Sequence, residues 1–306
     1  MIIDSHLHIT YGLHGCIQNG PTRSLTFGRA LQGDDEFQLL PPLNSGLTVF
    51  EPEMVVRLMD GVGVDRAVLL QGSFYGDQNT YLFEAVQKWP ERFAGAAYID
   101  PRGKAPRDQF KQVVEEFGFR ILKFEMTVPT GFCGIYPDLQ LNSDEMNWIW
   151  DQAATRNLVV TLDLGKGLTP AYQTADVEAI IARHPDLRIV ICHLAQAPIA
   201  DPQNEELNRL WREQILLGRH PNVWFDTSAL PAYGSEDYPF PVALDYIHQA
   251  AGLIGAEKLM WGSDIPGLLG QATYQQLLNM IRRHSQFSET ELELIIGQTA
   301  QRVYFQ

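Results

Sequence analysis

The sequence predicts an α/β fold, a (β/α)8 TIM barrel with a long loop insertion after its first strand. Three observations carry that expectation. Short runs that are apolar throughout recur along the chain, as strands buried on both faces of a parallel sheet require. Longer stretches of helical periodicity separate them, the alternation that lays helices over such a sheet. Eight such units in 306 residues match the size of a closed eight-stranded barrel. The competing architecture is an open doubly wound sheet, which ordinarily carries a glycine-rich phosphate turn after its first strand. Here that place holds Asp4-Ser5-His6-Leu7-His8 instead. The chain therefore reads as one domain, 1–306, with 9–50 as a lid insertion.

Strands are expected at 2–8, 66–71, 94–100, 119–125, 158–164, 188–194, 222–228 and 258–264. Helices are expected at 79–89, 108–117, 144–156, 174–183, 205–217, 241–251 and 274–283. Ser143 and Ser288, each followed by acidic residues, have the form of helix N-caps. Gly61, Gly165, Gly218 and Gly252 are expected near the ends of elements. The stretch 9–50 has little periodicity. A long connection of that kind in a compact domain is usually a functional loop, and after a barrel strand it belongs at the C-terminal mouth. It carries His14, Cys16, Arg23 and Arg29 and is expected to set specificity.

Composition narrows the function classes. With 23 basic against 37 acidic residues the net charge is -14, which disfavours a nucleic-acid partner, since that requires a basic stripe. Cys16, Cys133 and Cys192 have no paired spacing, so neither a disulfide framework nor a cysteine zinc site is indicated. No apolar run is long enough to span a membrane and no targeting segment is visible, so a cytoplasmic protein is expected.

Chemistry gathers at the predicted strand ends. His6 and His8, two apart on a strand, face the same way and suit a divalent metal. The fourth strand ends in Lys123 and Glu125, the fifth in Asp163, the sixth in His193, the seventh in Asp226 and the eighth in Asp264. Each follows a run that would be buried, where a charged group is costly unless paired or metal-bound. Singly, each has a plain structural reading. Lys123 and Glu125 would form a lining ion pair, Asp163 would cap the turn at Gly165, and His193 would be a satisfied core histidine. Asp226 would cap its own loop through Thr227 or Ser228, the reading favoured for that residue, and His14 would be a surface residue. Together, all at strand ends, they point to a site.

The stretches Ile3-Asp4-Ser5-His6-Leu7-His8, Trp89-Pro90-Glu91-Arg92-Phe93, Ile99-Asp100-Pro101, Gly118-Phe119-Arg120-Ile121-Leu122-Lys123, Ile191-Cys192-His193-Leu194, Asn222-Val223-Trp224-Phe225-Asp226 and Gly262-Ser263-Asp264-Ile265-Pro266 resemble, in order, the amidohydrolase-related branch of the amidohydrolase superfamily. That branch includes lactonases, other hydrolases and aromatic-acid decarboxylases. The resemblance implies a divalent metal, Zn²⁺ first with Mn²⁺ or Fe²⁺ as alternatives, held by His6, His8 and Asp264. It implies that His193 positions substrate or water. Where the family usually has a histidine ligand after strand five, this chain has Asp163, whose oxygen can also bind a divalent metal.

The activity so implied is hydrolysis of a small substrate, such as a lactone or related carbonyl compound, by metal-activated water. Asp264 and His193 are the expected catalytic residues, and Lys123, Glu125, Arg23, Arg29 and His14 the expected substrate-binding ones. Two other readings stay open at this level. One is non-oxidative decarboxylation of a small, aromatic acid. The other is a metal-free lactonase or a binding protein that has lost catalysis. The resemblance also admits a homodimer.

Overall fold

The computed structural model describes residues 1–42 and 45–306. The chain opens with β1 (Ile3–Leu7) and then builds a small antiparallel sheet from β2 (Cys16–Ile17), β3 (Gly20–Ser24), β4 (Arg29–Gln32) and β5 (Asp35–Gln38). Seven further strands follow: β6 (Arg66–Leu69), β7 (Phe93–Tyr98), β8 (Ile121–Glu125), β9 (Val159–Asp163), β10 (Arg188–Ile191), β11 (Val223–Asp226) and β12 (Leu259–Met260). These pair in parallel with β1 and with one another in chain order, giving the eight-stranded barrel sheet. The two ends of that sheet meet where Ser5 N donates to Trp261 O at 3.0 Å and Asp264 N to His6 O at 2.8 Å.

All eight expected barrel strands are present, and the structure trims most of them. Asp226 stays in the ladder opposite Met260, whereas His193 and Asp264, expected to finish β10 and β12, turn out of it. That release lets their side chains and backbone serve the site. The helices Asn79–Lys88, Asp144–Thr155, Thr174–Arg183, Glu205–Ile215, Pro241–Ile254 and Tyr274–His284 lie where the periodicity placed them. The helix at 106–116 tightens differently, running as Pro106–Lys111 and then a π-helical stretch, Gln112–Glu116. Ser288 caps its helix reciprocally with Glu291. Ser143 does not cap, because its hydroxyl donates to Gln140 O at 2.7 Å. Gly61 and Gly252 lie in the last turns of their helices, as expected, and the positive-φ glycines that end those helices are Gly63 and Gly255.

Strand alternation sorts the barrel into two cores. Val68, Ala96, Ile121, Val159, Val190, Trp224 and Met260 form an inner layer, with Ile3 from β1. The alternate residues, such as Ala67, Leu122, Leu162, Ile191 and Phe225, pack outward under the helices. The helix Thr299–Tyr304 stops the bottom of the lumen with Ala300, Val303 and Tyr304. β1 breaks the alternation. Ile3 belongs to the inner layer and Leu7 to the outer, although they are an even number apart. The register with β6 shifts between Asp4 and Leu7. That irregularity, a bulge-like device of the kind found beside active sites, re-aims the strand end that carries His6 and His8.

The insertion is more ordered than its lack of periodicity implied. Its strands are short and partly exposed, so they carry little hydrophobic signal. The small sheet docks on the C-terminal side of the barrel. Cys16 N donates to Ser73 O, His14 N to Tyr75 O and Gln18 N to Pro129 O. Thr22 Oγ1 donates to Phe74 O at 2.6 Å.

Candidate metal centre and active site

Two histidines arrive on β1 with their tautomers fixed by what lies behind them. His8 Nδ1 donates to Leu70 O at 2.9 Å, and His6 Nδ1 donates to Asp226 Oδ2 at 3.0 Å. A carbonyl and a carboxylate only accept, so both rings turn an Nε2 lone pair forward. Asp264 Oδ1 lies 2.9 Å from His8 Nε2 and 3.6 Å from His6 Nε2. Two acceptor atoms that close are satisfied by a cation between them or by a proton on the ring. The three ligand atoms fall within 4.8 Å of one another. Burial pushes the His6 imidazole down to about 4, which leaves it neutral and able to bind a metal near neutral pH. The donor set therefore fits a divalent cation. Each of the two histidines has behind it a hydrogen-bonded partner of the kind that holds ring orientation in metal sites.

Asp226 does more than the cap expected of it. It receives Ser228 N at 3.1 Å, as a cap should. It also receives His193 N at 2.9 Å and the His6 ring. It is fully buried. Burial alone would raise its carboxyl, but His6, His193 and Ser228 outweigh that and hold it below the usual carboxylate range. Asp4, at the β1 irregularity, was not expected to matter. Its Oδ1 receives His6 N (3.1 Å) and Ser263 N (2.9 Å), and its Oδ2 receives the Tyr274 hydroxyl (2.9 Å). Asp4 thus ties the histidine strand to the loop that presents Asp264. Asp264 itself sits at φ 56, a conformation that a non-glycine residue adopts only under constraint.

His193 follows β10 in an unusual turn. His193, Leu194, Ala195 and Gln196 are all left-handed, with φ of 57, 49, 54 and 45. Each such residue is disfavoured for an L-amino acid by roughly 1–2 kcal/mol. Trp211 Nε1 holds the turn at Leu194 O (2.9 Å) and the Tyr172 hydroxyl holds it at Ala195 O (3.3 Å). His193 Nδ1 meets Ser228 Oγ at 2.8 Å, and Ser228 Oγ in turn donates to Asp226. His193 Nε2 meets Asp163 Oδ2 at 3.3 Å. Both ring nitrogens therefore face acceptors. Burial opposes the charge, but Asp163 chiefly outweighs it, and the ring is pushed up to about 9 as an imidazolium.

The remaining expected residues divide. Asp163 caps Gly165 N at 3.1 Å and pairs with His193, but it joins none of the three-ligand groups among the described residues. Lys123 and Glu125 line the lumen without pairing to each other. Lys123 Nζ donates to Cys192 Sγ at 3.2 Å, while Glu125 Oε1 receives the Thr127 (3.0 Å) and Thr130 (2.7 Å) hydroxyls. Burial, reinforced by Asp163, raises the Glu125 carboxyl above its ordinary range. Arg23, Arg29 and His14 are not brought to the cluster. Arg29 pairs with Glu36 at 2.6 Å within the small sheet. Arg23 is exposed and donates to Thr22 O, and His14 is exposed with its ring against Tyr11. Two tyrosines were missed. Tyr75 stacks on His8 with ring centroids 4.8 Å apart, and Tyr233 meets His193 edge-on at 6.1 Å. Both lie in loops after barrel strands, where an isolated aromatic carries no positional signal.

Comparison with known proteins supplies the family and supports the fold. A family model described as Amidohydrolase matches residues 3–306. The L-fucono-1,5-lactonase of Burkholderia ambifaria is 29% identical over 224 residues, covering 71% of this chain and 70% of that one. Among solved structures, an amidohydrolase from Burkholderia multivorans with bound Hepes superposes with a TM-score of 0.73 at 18% identity, over 100% of this chain and 99% of that one. Another crystal form of it, with bound zinc, gives 0.67 at 19% identity over 84% and 89%. A probable 2-pyrone-4,6-dicarboxylic acid hydrolase from Acinetobacter baumannii gives 0.69 at 16% identity over 100% and 99%. At these identities the solved structures support the fold.

Proposed function

Because the chain belongs to the amidohydrolase family, we propose that it is a metal-dependent hydrolase that opens a lactone or a similar ester-like carbonyl on a small molecule. The observation that carries the reading is the convergence of His6 Nε2, His8 Nε2 and Asp264 Oδ1. These three residues would hold a divalent cation, Zn²⁺ by preference for two imidazoles and a carboxylate. When bound, the cation supplies Lewis acidity, lowering the pKa of water and polarising a carbonyl.

The chain's own groups do the rest. Asp264 is the proton carrier. Burial would raise its carboxyl, but His8 beside it and the nearby His193 and His6 hold it below the usual range, so it is ready to accept. It takes the proton of the attacking water and returns it to the leaving oxygen. His193 places a positive charge beside the place where the carbonyl oxygen becomes an oxyanion. Asp163 holds His193 in that charge state and orientation. This gives Asp163 a role that needs no metal bond, and we place it outside the ligand set. Asp226 fixes the His6 tautomer and the start of the His193 turn together. Tyr75 and Tyr233 wall the cluster on its two sides. The lactonase name carried by the Burkholderia ambifaria relative supports the ester-like substrate.

The test is lactone opening followed by proton release in a pH-stat. The native protein is expected to open small lactones, and Asp264→Asn to lose about 10²–10⁴-fold in kcat, the range of a positioned proton carrier. Turnover that survives Asp264→Asn would overturn the assignment.

A further inference from the structure

A cavity of about 240 Å³ is lined in part by Tyr233. Its walls come from the turn after β10, the loop after β9 and the helix Glu205–Ile215. Ala197, Ile199, Leu207 and Trp211 make it largely apolar, and the Tyr172 hydroxyl in its wall is already engaged with Ala195 O. Lys166 and Asp201 also line it, both exposed and opposite in sign, so they select no net charge.

Two features join this cavity to the reaction centre. Tyr233 belongs to both, forming cavity wall and meeting the His193 ring at 6.1 Å. Trp211 and Tyr172, also in the wall, are the donors that hold the left-handed turn carrying His193. Whatever fills the cavity therefore touches the side chains that place His193.

We propose that this cavity seats an apolar arm of the substrate, an alkyl or aryl substituent on the lactone or ester, a claim that rests on the hydrolytic reading above. Gln196 adds a polar group at the wall, but the buried part at Ala197, Ile199, Leu207 and Trp211 offers a polyhydroxylated ring no free side-chain partner, so such a ring loses hydration there at a cost in binding. An apolar arm gains by burial. Because the wall holds the His193 turn, part of that gain appears in kcat rather than only in KM.

The experiment compares δ-hexalactone, δ-octalactone and δ-decalactone, whose arms are methyl, propyl and pentyl. The native protein is expected to gain about fourfold in kcat/KM per added methylene, the fold-change equivalent of one buried CH₂, with kcat rising along the series. Ala200 is an exposed residue of the cavity wall, and Ala200→Trp narrows the space without touching the core. That variant should bring the decalactone-to-hexalactone ratio close to one. Calorimetric titration with 1-hexanol gives a readout independent of turnover. Saturable binding is expected, at least tenfold weaker in Ala200→Trp. A chain-length-independent kcat/KM, or hexanol binding equal in both proteins, would overturn the proposal and leave the hydrolytic reading intact. Hexanol binding that the variant weakens, with no lactone opened by the native protein, would support the apolar seat and overturn the hydrolytic reading.

Discussion

Asp226 concentrates the logic of the site in one side chain. Its two oxygens serve the His6 ring, the His193 backbone and Ser228. Replacing it with alanine leaves a buried neutral imidazole and two buried N–H groups without their acceptor, at a cost of about 1–3 kcal/mol for each group left unsatisfied. Urea unfolding of Asp226→Ala measures that cost. Asp226→Asn keeps the shape but presents an amide that cannot accept equally on both sides. Metal affinity, read by competition with a chelator, should fall about 10–100-fold, as for other residues behind a metal-binding histidine. An unchanged affinity would detach Asp226 from the centre. Asp4 acts similarly from the other side of β1. Its carboxyl is pushed up to about 6 by burial, against the hydrogen bonds it receives from Ser263, His6 and Tyr274. At the scale of single residues, the clustering of His6, His8, His193 and Asp264 was legible because a charged group at the end of an apolar strand has few structural excuses. Asp163 was legible as a site residue, and the contact it makes with His193 was not, because that contact depends on how two neighbouring loops turn.

The insertion and the loop after β6 work as one element. Gln78 Nε2 donates to Thr10 Oγ1 (2.9 Å), Gly12 O (2.9 Å) and Tyr75 O (3.1 Å), tying the start of the insertion to the segment that stacks on His8. Gly15 lies so close to that segment that a Cβ would come within 1.9 Å of Ser73 O. Gln78→Ala removes these contacts, but Thr10 Oγ1, Gly12 O and Tyr75 O keep Gly12 N, Thr10 Oγ1 and His14 N as donors, so the cost is that of lost hydrogen bonds, about 0.5–1.5 kcal/mol each. It should also loosen Tyr75, raising KM more than it lowers kcat, which steady-state kinetics on one lactone would show. Barrel strands and most helices could be read from their periodicity because a strand covered on both faces must be apolar throughout. The insertion's strands could not be read, since its pairing is antiparallel, short and half exposed. Arg23 and Arg29 were expected at the mouth because the lid insertion carries them, whereas Glu36 on the adjacent strand takes Arg29. The β1 irregularity was also invisible, because strand alternation alone places His6 and His8 together but not their offset from Ile3.

At the scale of the whole molecule, the barrel divides support from chemistry. The bottom of the lumen is apolar and closed by Val303 and Tyr304, with the Tyr304 hydroxyl 3.3 Å from Thr161 Oγ1. Tyr304→Ala should cost about 3–5 kcal/mol, the range for emptying a buried aromatic site. Because it lies at the far end from the cluster, kcat/KM of the folded fraction should stay unchanged. Urea unfolding and a lactone assay together check both halves. No helix among the described residues is long and apolar enough to cross a membrane. The acidic balance that disfavoured nucleic acid accords with a small-molecule site whose working groups are mostly carboxylates and histidines. The central claim is that His6, His8 and Asp264 hold a metal while Asp163 holds His193. Its most direct test is elemental analysis of the purified protein against His6→Ala and Asp163→Ala, after growth with added zinc and manganese. Stoichiometric metal in the native protein, retained by Asp163→Ala and lost by His6→Ala, is the predicted result. A native protein without metal, or one whose metal leaves with Asp163, would contradict it.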